Sequence, residues 1–160
     1  RMRGGQAICG EMGGNGGTVS LKDASKFAID FLAKDEDGFV LMIEQAHVDK
    51  YSHKNDFDNM VKAMKALNDT IAMILDWIGD RNDTAIIVTA DHETGGLKYK
   101  DGETKDDIKN SLYTTKTHTG TNVKYFIFVK GLSADELKAI VPEKIDNTDV
   151  NRIARALLAA

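Results

Sequence analysis

The sequence predicts an α/β domain, built on a mostly parallel sheet with flanking helices and one antiparallel strand. Three observations lead there. Continuous apolar runs at Phe39–Ile43 and Thr84–Ala90 read as strands buried on both faces. Between them, from about Asp56 to Trp77, an amphipathic segment keeps Phe57, Met60, Val61, Met64, Leu67, Ile71, Ile74, Leu75 and Ile78 on one face. Strand, helix and strand make a βαβ unit, for which a right-handed crossover is the rule. The third observation is size: 160 residues, 42% of them hydrophobic, are enough for one domain with a sizeable core and too few for two.

Taken in order, the chain opens on a stretch with seven of its 14 glycines in the first 17 residues. Such density disfavours packed structure, so residues 1–19 read as a Gly-rich loop or severed linker without fixed order. Residues 20–160 form the domain. Ser20, with Asp23 three residues on, starts a helix whose Leu21, Ala24, Phe27, Ala28, Phe31 and Leu32 recur at helical spacing. It ends near Asp37-Gly38. After the first strand and the long helix, Gly79 stops the helix and the second strand begins at Thr84. Residues 95–122 are polar and aperiodic, and loops of that length are commonly functional. Tyr125–Val129 is the third strand, followed by one short helix opened by Ser133 with Glu136 and another over about Asp149–Leu158.

The net charge is −4, with basic residues scattered among acids, so the chain has no electrostatic footprint for nucleic acid or an anionic membrane. No apolar run reaches membrane-spanning length. The single cysteine, Cys9, has no partner for an internal disulfide and reads as an incidental thiol. The chain starts at Arg1 and its first residues lack the apolar core of a signal peptide, so it reads as a piece of a longer protein.

Ligands of open α/β sheets gather at the carboxyl ends of strands. Past the first strand come Glu44, His47, Asp49 and His53; past the second come Asp91, His92 and Glu93. Mixed carboxylate and imidazole ligands favour zinc and its neighbours over calcium. Asp49 and His53 are four apart and face one way if the segment turns helically. His47 lies off that direction and reads as a non-ligand. Asp91 and His92 can turn to one centre at a strand end, or can cap the helix or turn that follows. His118 precedes its strand. It joins the others either because the third strand is antiparallel, the arrangement expected here, or because the 95–122 loop returns over the active edge. Lys100–Lys109 reads as a solvated face.

These residues assemble into a resemblance to the C-terminal half of alkaline phosphatases. The matching segments are FVLMIEQAHVDKYSH (Phe39–His53), TAIIVTADHETGGL (Thr84–Leu97), His118-Thr119-Gly120 and Asp146-Asn147-Thr148-Asp149. The resemblance implies a partial three-layer fold of that family and a site with two zinc ions and one magnesium. By position, Asp49, His53 and His118 would hold one zinc, Asp91 and His92 would supply two ligands of the second, and Glu44 would bind magnesium. Lys50 matches a position that in some members contacts phosphate through water. The implied reaction is hydrolysis of a phosphate monoester, with two zinc ions about 4 Å apart clamping the attacking and leaving oxygens. The implied parent is a periplasmic or extracellular homodimer.

Two departures stand out. Gln45-Ala46 occupies a place where the family usually has glycine, and the segment between Leu97 and His118 is short. The family's nucleophilic serine lies in its N-terminal half, and Ser20, Ser25, Ser52, Ser111 and Ser133 lack its context, so the isolated chain is expected to be inactive. Two other readings share the ligands. One is another enzyme of the superfamily, a cofactor-independent phosphoglycerate mutase or a phosphodiesterase. The other is a non-enzymatic metal-binding domain. Glu44 five residues before Asp49 and the run Glu93-Thr94-Gly95-Gly96 favour the phosphatase.

Overall fold

The computed structural model describes residues 8–9, 19–99, 102 and 112–159. Their elements run β1 (Ile8–Cys9), α1 (Leu21–Leu32), β2 (Met42–Ile43), α2 (His47–Ser52), α3 (Phe57–Ile78), β3 (Ala85–Val88), β4 (Glu93–Thr94), β5 (His118–Thr119), β6 (Phe126–Val129), α4 (Ala134–Ile140) and α5 (Asp149–Ala159). The chain divides into two compact units, Arg1–Trp77 with Thr94–Thr119, and Ile78–Glu93 with Gly120–Ala160.

In the first unit, α1 begins where its cap predicts: the Ser20 side chain accepts the Asp23 N–H at 3.1 Å. Its Leu21, Ser25 and Ile29 are buried at helical spacing. The long helix α3 buries Phe57, Ala63 and Thr70, and the Thr70 hydroxyl is satisfied by the Ala66 carbonyl at 2.8 Å. Phe39, ahead of β2, meets Trp77 edge to face with ring centroids 6.4 Å apart. Within the Gly-rich stretch, Ile8–Cys9 pairs in parallel with Met42–Ile43, where the sequence reading placed only a loop.

The second unit is built on β3 and β6, which pair antiparallel from Ala85 against Val129 to Val88 against Phe126. The third predicted strand is therefore antiparallel to the second, as expected. Helices α4 and α5 follow, with a full capping box between Ser133 and Glu136 at the start of α4. Ile78 and Ile153 are buried.

The mostly parallel sheet is not what the described residues form. They contain three two-stranded pairs, β1 with β2, β3 with β6 and β4 with β5, and β2 and β3 are not neighbours in any of them. The reading of strands buried on both faces is corrected too. Over Phe39–Ile43, Val40 and Met42 are half exposed, and along β3 Ala85 is exposed while Ile86, Ile87 and Val88 are only partly covered. Exposure alternates along Phe39–Ile43, the period of a strand covered on one face, where an uninterrupted run was read as double burial. The Lys100–Lys109 reading and Ser111 fall outside the described residues, apart from Gly102.

Candidate metal centre

The first unit brings together three side chains from distant parts of the sequence. The short helix α2 carries Asp49, and His53 closes it as C-cap, its N–H bonded to the Asp49 carbonyl at 2.9 Å. One helical turn thus places both side chains on the same face. His118 arrives from β5. The His53 Nε2 lies 3.2 Å from His118 Nε2 and 3.3 Å from Asp49 Oδ1, and His118 Nε2 lies 3.5 Å from the same oxygen.

This triangle has the dimensions of a cation site. A tetrahedral ion with nitrogen and oxygen ligands at about 2.0–2.1 Å has ligand-to-ligand edges of about 3.3–3.4 Å. The donor set, two imidazoles and a carboxylate, matches zinc chemistry. The tautomer fits as well. His53 Nδ1 lies 2.5 Å from the Lys116 carbonyl, which can only accept, so Nδ1 is the donor of that pair and Nε2 is the nitrogen turned toward Asp49 and His118. Asp49 Oδ1 also accepts the Thr94 hydroxyl at 2.6 Å.

The loop's return, rather than the antiparallel strand alone, delivers His118. The Gly95 N–H donates to the Thr117 carbonyl at 3.0 Å, and the Gly95 carbonyl accepts the N–H groups of Thr114 and Thr115 at 3.0 and 3.1 Å. Asn55, which has φ +57°, adds a tie when its amide is oriented to donate: to the Ser52 carbonyl at 3.1 Å and the Thr115 carbonyl at 2.8 Å. Every ligand-bearing segment of the triangle is therefore laced by backbone or side-chain bonds, which limits the reorganisation a bound ion would require.

The remaining sequence-derived candidates stand as follows. Glu44, just past β2, is exposed, and so is Lys50, next to Asp49 on α2. His47 is half-buried, its ring 5.6 Å from that of Tyr51. In the second unit, Asp91 and His92 follow β3, with His92 Nε2 3.3 Å from Asp91 Oδ2. The strand β4, not a helix, comes next, so they cap no helix. Asn147 Nδ2 donates to the Asp91 main-chain carbonyl at 2.7 Å, tying the Asp146–Asp149 segment to that bend. Sequence reasoning passed over the roles of Thr94 and Asn147; both stand inside the segments quoted above, and their neighbours' chemistry was the available signal. The described serines have structural surroundings: Ser20 and Ser133 cap helices, Ser25 is buried on α1, and the Ser52 hydroxyl donates to the Val48 carbonyl at 2.8 Å.

Two imidazoles and a carboxylate brought together on an α/β scaffold make a candidate cation site, and comparison with known proteins shows the family of the chain that carries it. Residues 11–110 match the family model described as alkaline phosphatase. The chain belongs to the alkaline phosphatase family. It is 38% identical over 77 residues to alkaline phosphatase 3 of Bacillus subtilis (strain 168), a match covering 48% of this chain and 17% of that protein. To the repressible alkaline phosphatase of Saccharomyces cerevisiae it is 34% identical over 85 residues, covering 49% of the chain and 15% of that protein. The solved alkaline phosphatase of the Antarctic bacterium TAB5 superposes with a TM-score of 0.64 at 25% identity, over 87% of this chain and 41% of that one. The chain thus spans less than half the length of that enzyme. A mutant of it is described with Mg bound in a site termed M3.

Proposed function

We propose that this chain is the metal-ligand-bearing part of a zinc-dependent phosphomonoesterase of the alkaline phosphatase type. The observation that carries the reading is the triangle of Asp49 Oδ1, His53 Nε2 and His118 Nε2, with edges of 3.2 to 3.5 Å, in a chain of this family. In this reading the three hold one zinc ion. Asp91 and His92 contribute to a second, and Glu44 binds magnesium. When bound, the metals supply Lewis-acid stabilisation of charge on the oxygens of a transferring phosphoryl group. The protein's own part is positional: His53 presents its Nε2 lone pair because Lys116 holds the other nitrogen, and Asp49 is held by Thr94. In the same reading Lys50 contacts the phosphate.

The parent domain in this reading is a three-layer fold around a mostly parallel sheet, acting as an exported homodimer on phosphate monoesters. The chain alone lacks the nucleophile and is inactive. The mutase, phosphodiesterase and binding-module readings use the same ligands, and no geometry here favours them over the phosphatase.

Calorimetric titration of zinc into the 160-residue chain tests the proposal. Binding of about one ion that both Asp49→Ala and His118→Ala abolish is the expected result. Binding untouched by either substitution would refute the assigned site, and robust turnover of p-nitrophenyl phosphate by the chain would refute its inactivity.

A further inference from the structure

The run Thr94-Gly95-Gly96 supplies none of the proposed ligands, yet it is fastened to the site at several points. We propose that Thr94 is a positioning residue for the cation held by Asp49, His53 and His118, and that the Gly95-Gly96 turn is the device that sets it in place. The inference rests on the zinc reading above and goes beyond it by naming what aims the carboxylate.

Asp49 Oδ1 is the oxygen that faces both imidazoles, and it is also the one that accepts the Thr94 hydroxyl, at 2.6 Å. A carboxylate oxygen offers two lone-pair directions. With Thr94 on one, the other is left toward His53 and His118, and rotation of the carboxyl group is checked. A ligating carboxylate held by a hydrogen bond of its own loses less freedom on taking up an ion, and partners of this kind commonly change metal affinity by about 10–100-fold.

The turn fixes where that hydroxyl sits. Gly95 and Gly96 have φ of +93° and +57°, in the left-handed region. A Cβ on Gly95 would lie 2.6 Å from Tyr113 Cδ1, and one on Gly96 would lie 2.2 Å from Thr114 Oγ1. Both glycines are thus pressed against the returning segment, and the Thr114 hydroxyl donates to the Gly96 carbonyl at 2.9 Å. That segment carries the Lys116 carbonyl that orients His53, and then His118 itself. One turn therefore registers Thr94 on Asp49 while registering the other two ligands from the opposite side.

The test uses the whole chain, zinc alone in calorimetry, and cobalt(II) as a spectroscopic probe of coordination geometry. Thr94→Val keeps the shape and removes the donor; Thr94→Ser keeps the donor. The expected result is zinc binding weakened about 10–100-fold in Thr94→Val, with an altered cobalt d–d spectrum, and both restored in Thr94→Ser. Thr94→Ala, which places no methyl against the carboxylate, serves as the second donor-free variant if Thr94→Val does not fold. Unchanged affinity and spectrum in a folded donor-free variant would overturn the inference. So would equal losses in Thr94→Val and Thr94→Ser with a lowered metal-free thermal midpoint, the signature of a purely structural bond. If the unsubstituted chain binds no zinc, or Asp49→Ala binds as well as it does, the metal reading itself fails and this inference with it.

Discussion

At the scale of single residues, Asp49 Oδ1 is the point where the site closes, since it lies within 3.5 Å of two imidazole nitrogens and accepts a hydroxyl. Gly95 is its counterpart on the other side. A side chain there meets the buried Tyr113 ring and also requires a positive φ, so Gly95→Ala combines overpacking with backbone strain. We expect it to destabilise the chain by about 2–4 kcal/mol in urea denaturation. Gly38 has φ +79° with nothing within 4 Å of its would-be Cβ, so Gly38→Ala should cost only the backbone term of about 1 kcal/mol. Equal effects at the two positions would show that the Tyr113 contact is absent in solution. The four-residue spacing of Asp49 and His53 was legible in the sequence as a shared face of one helical turn. Thr94 was not, because a threonine hydroxyl serves turns, caps and strands alike, and only the folded chain shows which carboxylate it faces.

Among the elements, the capped helices were the most legible, because the cap residues act on their own neighbours. Ser20 and Ser133 do what their spacing to Asp23 and Glu136 predicts. The Glu136 carboxyl is held below its ordinary range, first by the Ser133 hydroxyl and then by the Ser133 backbone N–H. Its folded value being the lower one, the stability it lends is present above the unfolded glutamate value of about 4.3 and is lost as pH falls through the folded value. Ser133→Ala should therefore flatten the acid limb of a thermal-midpoint against pH curve between about pH 5 and 3, and leave its slope above pH 6 unchanged. An unaltered acid limb would show that the cap does not hold the charge. The six-residue helix α2 was legible only conditionally, as a turn that would aim Asp49 and His53 together, because so short a segment shows no hydrophobic period. The strands β4 and β5, two residues each, carry no pattern at all; they pair beside the glycine turn, where the Gly95 N–H donates to the Thr117 carbonyl.

For the molecule as a whole, the α/β composition was legible and the continuous sheet was not realised among the described residues. Periodicity identifies an apolar run but does not say how many layers will cover it. Phe126, at 65% exposure, and Met42, at 49%, belong to faces that the described layers leave open. Under the proposed function the rest of the domain covers them, in keeping with a match that spans 41% of the TAB5 enzyme. The triangle forms even so, because its three side chains and their supporting bonds lie within one compact unit. Zinc K-edge X-ray absorption on the zinc-loaded chain tests this most directly. The account predicts a first shell of nitrogen and oxygen at about 2.0–2.1 Å, with imidazole scattering from two histidines that falls to one in His118→Ala. A sulfur shell at about 2.3 Å, or imidazole scattering indifferent to that substitution, would contradict it.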